Sequence, residues 1–580
     1  MSTFPGTRSS IAPEDAGPSR RSLIRGAVYY AMLVVAGVST TGCGGGGHDA
    51  DAGGGSSGTG SPGDPGSTTA FKHGVASGDP LSDRVILWTR VTVASPGTLN
   101  LSWQIASDAN FGIIVARGVA TTGPERDYTV KVDATGLQPA GVYYYRFYLG
   151  SDTSPTGRTK TLPTGNVSQV RMALLSCANF PAGYFNVYAE VAKRIDIDVA
   201  LHVGDYIYEY GLEGFLGQLA ISPDRRSEPS HETVSLDDYR IRHAQTRTDA
   251  DLKAMHGNVP VIAVWDDHEL ADNAWLGGAK NHDPSTEGSF TARRDAAVQA
   301  YHEWMPTRVP DPADPLKIYR SFDFGNLVSL HMLDTRLVGR DQQVSLDAYL
   351  QGAADSPTRQ ILGSVQFDWL SARMAASSAT WQVLGQQVLM ARMEVPLTVA
   401  SSMTPVTLAD YLLALSTPDR LRSNSQRDLV NQRRAPYNLD AWDGYPAARE
   451  AVLNAARSQG KNLVSLAGDT HNSWGSNLTD TTGQRVGVEF GGSSVSSPGF
   501  ETSLPLISNS LLADAFLKMV ADLRYAETSK RGYMVITLTA AEARGDWVEI
   551  STVFSRSYTT RIAGSMHASP GPGNLDLVPV

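Results

Sequence analysis

At 580 residues with 41% hydrophobic composition, the chain is too long for one ordinary domain and has apolar content for at least two cores. A formal net charge of −10 and the lack of any long basic run exclude a nucleic-acid scaffold role. Two cysteines, Cys43 and Cys177, exclude a disulfide framework, so each thiol needs its own explanation.

Near the N-terminus, Arg20 and Arg21 precede an apolar run of about a dozen residues and then small residues, the grammar of an export signal. The run falls short of the roughly 20 residues of a membrane span. The pair followed by Ser22, Leu23 and Ile24 resembles a twin-arginine signal, which implies the Tat export machinery as a partner and transport in the folded state. Cys43 follows Thr40, Thr41 and Gly42 and precedes four glycines, the pattern of a lipoprotein attachment site and hence of a membrane tether. Thr40 departs from the usual apolar residue of that pattern, and simple cleavage without a lipid is the alternative. Residues 1–43 are thus the export segment, and residues 44–69, nearly all Gly, Ser, Asp, Thr and Pro, a flexible linker.

Residues 70–165 carry short runs rich in β-branched and aromatic residues, "RVILWTRV", "TLNLSWQIA", "DYTVKV" and "GVYYYRFYLG", separated by turn formers. This predicts a small all-β sandwich of immunoglobulin or fibronectin type. In "YYYRFY" the strand period points to sandwich core rather than to a stacking surface for substrate. Residues 166–568 change grammar. The apolar strands "VRMALLS", "DVALHVGD", "VPVIAVWDD", "LVSLHMLDTR", "WQVLGQQVLM" and "NLVSLAGD" alternate with helical stretches within 183–194, 292–304 and 366–375. Such strands are buried on both faces, so the fold class is α/β, with mixed sheets flanked by helices. "RGYMVITLT" and "DWVEISTVF" read as a hairpin, and residues 569–580, rich in Pro and Gly, as a loose tail.

Three apolar strands end in acids: Asp205 in "HVGD", Asp266 and Asp267 before His268 in "WDDHE", and Asp469 in "LAGD" with His471 close behind. A fourth ends at Cys177 in "LLSCAN". Strand ends of one α/β sheet converge on a crevice, and carboxylates, imidazoles and a thiol gathered there suit a metal site. One strand-end Asp alone reads as a cap or a solvated loop; the same ending on three strands does not. His202, inside its strand, reads as a core histidine or as support for a ligand.

The chain from "FKHGVASGDPLSDRVILWTRV" through "HVGDYIYE", "WDDHELADNAW", "LDTR", "WDGYP", "GDTHNSW" and "EFGGSSVSSPGFE" resembles, in order and over nearly everything after the linker, the PhoD-type alkaline phosphatases and phosphodiesterases of the calcineurin-like metallophosphoesterases. The resemblance implies a β-sandwich before a metallophosphoesterase sandwich of sheets. It also implies Fe3+ and Ca2+ as cofactors, with Asp205 bridging two metal positions and Cys177 and Tyr208 ligating iron, where a trivalent ion suits phenolate and thiolate donors. Further metal ligands implied are Asp267, Asp469, His471 and either Asp272 or Asn273; the family usually has Asn at the position of Asp272. His268 would stabilise or protonate the leaving group, and Arg336 would contact substrate phosphate, with internal pairing to Asp334 or another acid as the competing role. The activity implied is hydrolysis of a phosphate-ester substrate by metal-activated water outside the cytoplasm, by a monomeric protein, periplasmic or on the cell surface. A phospholipase D-like action on lipid head groups and an inactive surface-tethered binding protein are the rival readings.

Overall fold

The computed structural model describes residues 69–214 and 220–580. The export segment with Cys43, and the linker up to residue 68, lie outside the described residues. No helix among the described residues is long and apolar enough to cross a membrane.

Two sheets form the body. The first is ten-stranded, and at its centre Gln169–Leu175, Val199–His202 and Val261–Ala263 run parallel, with Arg531–Thr539 antiparallel beside the first of them. The second is seven-stranded, and its central strands Val328–Met332, Trp381–Gly385, Asn462–Ala467 and Arg485–Gly491 are also parallel. All four residues of Val199–His202 and all five of Val328–Met332 are buried, as expected of strands covered on both faces. Met172, Leu174 and Ile536 of the first sheet share one core with Val383, Val464 and Phe490 of the second. Helices Gly363–Ala376 and Pro446–Ser458 cover the second sheet through Leu370, Met374, Val452 and Leu453. Asn186–Ala192 and Ala250–Asn258 contribute Tyr188, Val191, Leu252 and Met255 to the shared core. The expected helix at 292 begins two residues earlier, at Phe290, because the Ser289 side chain accepts the N–H of Ala292 and caps it.

The small sandwich is present, but it is not separated from the body. Its five-stranded sheet contains Leu99–Ala106, Ile114–Thr122 and Val142–Leu149, whose Tyr143, Tyr145 and Phe147 are buried in the core predicted for them. The strands that share this core, Val75–Gly78, Arg84–Arg90 and Thr129–Thr135, extend the ten-stranded sheet, because Gly78 pairs with Val261 across the expected boundary at 165/166. A Cβ at Gly78 would lie 2.2 Å from the Pro306 carbonyl oxygen and 2.6 Å from that of Val261, so only glycine permits this junction.

The C-terminal tail is not loose. Val578–Pro579 pairs with Thr560–Ala568, Leu575 and Leu577 are buried, and Asn477 binds both the Asp576 carboxylate and the Leu577 N–H. Two leucines supply enough apolar surface to dock a segment that its Pro and Gly content marks as a coil. Deleting residues 574–580 is expected to lower stability by about 3–6 kcal/mol, from the two leucines alone. Equal urea midpoints for the truncated and full chains would show that docking contributes nothing.

Candidate metal centre

Strands of both sheets deliver their carboxyl ends to one place. Cys177, Asp205, Asn273, Asp469 and His471 all take left-handed backbone conformations there, with φ of 60°, 56°, 54°, 65° and 60°. Such conformations are uncommon outside glycine and gather at functional sites. Glycines make the convergence possible. At Gly204, with φ of 114°, a Cβ would sit 2.3 Å from the Asp266 Cβ; at Gly468 it would sit 2.6 Å from the Ser176 Cβ. The Gly-Asp pairs in "HVGD" and "LAGD" therefore mark places where one strand end passes against the next.

Glu269 ties two of these ends together. Its buried carboxylate accepts the backbone N–H groups of Asp205 at 3.0 Å, Tyr206 at 2.6 Å and Asp266 at 2.7 Å. Burial raises its pKa to about 7 against the opposing effect of those N–H groups.

Three groups of donors result. Ligand-capable atoms of Cys177, Asp205 and His471 lie within 4.8 Å of one another, as do those of Asp205, Asp267 and His268, and those of Asp266, Asp267 and Asp469. Asp205 belongs to the first two groups and Asp267 to the last two. The Tyr208 hydroxyl completes the first group: it lies 3.0 Å from Asp205 Oδ2 and 3.1 Å from His471 Nε2, and accepts from Ser497 Oγ at 2.7 Å. His471 Nδ1 lies 2.8 Å from the Pro498 carbonyl, which leaves Nε2 facing Tyr208 and Asp205.

These donors fit a cation. Asp205 Oδ1 and Asp267 Oδ1 are buried without a hydrogen-bond partner. Burial, reinforced by the charge of Asp205, pushes the Cys177 thiol and the Tyr208 phenol well above their usual pKa values. Burial likewise raises Asp205 and Asp469 well above the carboxylate range. A buried thiol, phenol and carboxylates that resist ionisation alone become anionic donors when a cation enters among them.

His268 is held by a residue to which its sequence position assigns no role. Glu209, fully buried, binds His268 Nδ1 at 2.7 Å, accepts the Asp272 N–H at 2.8 Å, and accepts from Asn281 Nδ2 at 2.9 Å. Burial opposes charge on His268, but Glu209, Asp267 and Asp205 outweigh it and hold its pKa well above the ordinary imidazole value. The imidazole ring lies against that of Tyr208, centroids 4.3 Å apart. His202 is a core histidine, buried and bonded to the Tyr188 hydroxyl at 2.8 Å.

Asp272 lies in none of the three groups; its carboxylate pairs with Lys280 Nζ at 2.8 Å. Asn273 donates its N–H to Asp267 Oδ2 at 2.6 Å. Arg336 requires a correction. It does not face the crevice as a phosphate ligand but lies wholly buried beneath it, pairing with Asp266, with Asp440 at 2.6 Å, with Asp469 at 3.2 Å and with Asp267 at 3.5 Å. Its own N–H donates to Asp334 Oδ1 at 2.7 Å. Four carboxylates outbid a phosphate for one guanidinium, and only Asp334 among its acid neighbours is close to it in sequence.

A two-sheet α/β sandwich thus brings oxygen, nitrogen and sulfur donors to a common edge, the arrangement of a candidate metal centre. The family model of the PhoD-like phosphatases matches residues 172–547, and that of the PhoD-like phosphatase N-terminal domain matches residues 58–163. Alkaline phosphatase D of Bacillus subtilis (strain 168) is 39% identical over 454 residues, which are 75% of this chain and 70% of that protein. A solved structure of PhoD superposes with a TM-score of 0.73 at 33% identity, covering 88% of this chain and 92% of its own. The chain belongs to the PhoD-like phosphatase family and is a hydrolase of phosphoric ester bonds.

Replacing Gly468 with Ala would drive a Cβ into Ser176 and displace the Asp469 strand end. The variant is expected to lose about 1–3 kcal/mol of stability, as overpacked sites do, and most of its activity. Unchanged thermal midpoint and turnover would show that the close approach does not matter.

Proposed function

We propose that the protein is an exported, metal-dependent phosphoesterase that hydrolyses phosphomonoesters or phosphodiesters by attack of water and releases phosphate. One observation carries this reading: Cys177, Asp205, Tyr208 and His471 meet at a point where a buried carboxylate oxygen has no partner. Thiolate, phenolate, carboxylate and imidazole together suit Fe3+, whereas Asp205, Asp267 and Asp469, with Asp272 or Asn273, offer the oxygen donors that Ca2+ requires. Held by these residues, such cations would offer positive charge to the phosphoryl oxygens and would lower the pKa of a bound water.

The chain's own residues do the rest. Glu209 fixes His268 through Nδ1 and favours its charged form, which leaves Nε2–H to be given to the leaving oxygen or to hold a phosphoryl oxygen. A general acid in that role contributes roughly 10²–10⁴ in rate. Arg336 holds Asp266, Asp267 and Asp469 in place rather than the substrate. Export rests on the Arg20–Arg21 segment and the Tat machinery, and Cys43 is the tether if the exported form is lipidated.

Asp205→Asn is expected to lose bound metal and activity on a small aromatic phosphate ester together. A variant that keeps both removes Asp205 from the centre. Native protein should show a visible charge-transfer band of phenolate on iron that disappears in Tyr208→Phe; persistence of the band would refute the Tyr208 assignment. Glu209→Gln should retain its metal while kcat falls about 10–100-fold, the usual cost of losing a partner that orients a site residue.

A further inference from the structure

Away from the phosphatase centre, the seam between the N-terminal strands and the helices Leu236–Thr246 and Phe290–Trp304 buries a cation without a counter-charge. Arg247, at the end of the first helix, is fully buried. Its guanidinium carbon lies 4.2 Å from the ring centre of Trp88, and its Nη2 donates to the Trp304 carbonyl at 3.1 Å. Its Nε and Nη1 have no partner. No carboxylate pairs with it among the described residues, and burial lowers its pKa from the ordinary guanidinium value.

The surroundings are short of acceptors and of negative charge. His256 Nε2 meets the Tyr206 hydroxyl at 2.9 Å, so when the phenol donates, the His256 Nδ1–H is a further donor with nowhere to go. His243 stacks on Trp304 at 6.3 Å and His73 meets the edge of the same ring at 5.2 Å, and the Nδ1 atoms of both are unpartnered. Burial, with the charge of Arg247 behind it, keeps His243 and His256 far below the ordinary imidazole pKa, and burial does the same for His73. All three are therefore neutral, and the guanidinium is the one full charge among them. A water molecule would satisfy donors but leave that charge uncompensated in a dry seam, whereas a small anion satisfies both demands.

We propose that this seam holds one monovalent anion of halide size against the Nε–H and Nη1–H groups of Arg247, with His256 and its neighbours completing its shell. The full-length protein, prepared and crystallised with bromide replacing chloride throughout at the same concentration, provides the test. Anomalous scattering at the bromine edge should give a peak within hydrogen-bond distance of Arg247 Nε and Nη1. In solution, the thermal midpoint should rise by a few degrees and saturate as chloride replaces a bulky organic anion at constant ionic strength, as a ligand bound only to the folded state requires. Arg247→Met should remove that dependence; should the variant not fold, the diffraction arm on the native chain decides alone. Water without anomalous signal beside Arg247, or a midpoint indifferent to halide, overturns the proposal.

Discussion

A largely buried pocket cannot accumulate carboxylates without positive charge among them, and that constraint governs this molecule. Asp205, Asp266, Asp267, Asp469 and Glu269 are gathered at one edge of the sandwich, with Arg336 buried beneath and His268 beside them. Two like charges 4 Å apart repel by about 4 kcal/mol at the effective dielectric of a protein interior near its surface. Burial, with the charge of neighbouring carboxylates added to it, raises Asp205 and Asp469 far above the carboxylate range and Asp266 to about 7. Burial opposes ionisation of Asp267 and Asp440 as well, but Arg336, His268 and backbone N–H groups together hold Asp267 at about 2, and Arg336, Arg340 and Gln343 together lower Asp440.

The backbone bears the cost of assembling it. Five residues in left-handed conformations, two glycines without which the strand ends would collide, and a buried glutamate spending both oxygens on three N–H groups all serve to hold the donors close. Strain of this kind persists only where surrounding structure fixes it, and here parallel strands of two sheets, each buried on both faces, are that surrounding. Sharing Asp205 between the first two donor groups, and Asp267 between the second and third, keeps all three within one small volume.

What could be read from the sequence is what repeats locally. An apolar run that ends in Gly-Asp, in two acids and a histidine, or in Ser-Cys marks a buried strand and its polar end, so the convergence of Cys177, Asp205, Asp267, His268, Asp469 and His471 on one edge was legible. Glu209 and Glu269 lie inside the same motifs, yet their roles depend on which N–H or imidazole another segment presents, and no spacing encodes that. Asp440, in an unremarkable "NLDAWDG", gains its place only because Arg336 and Arg340 reach it from about a hundred residues away. The same limit explains the tail, where composition reports loop-forming residues and says nothing of a groove that fits two leucines, and the sheet junction at Gly78, which depends on a backbone partner at Val261.

The three tyrosines of "GDYIYEYG" show how one short stretch serves different masters. Tyr206 points into the protein, bonded to His256 and packed near Arg247, so it belongs to the seam with the N-terminal strands. Tyr208, two residues on, turns its hydroxyl to Asp205, His471 and Ser497. Tyr210 lies beside His268, centroids 5.5 Å apart, and is half-buried at the rim. Asp205 therefore stands between two buried networks, one built on a lone arginine and one on crowded carboxylates, joined by two consecutive peptide units whose N–H groups, those of Asp205 and Tyr206, Glu269 accepts. Glu269 accepts from both N–H groups, so the left-handed turn at Asp205 is fixed on the side of each network at once.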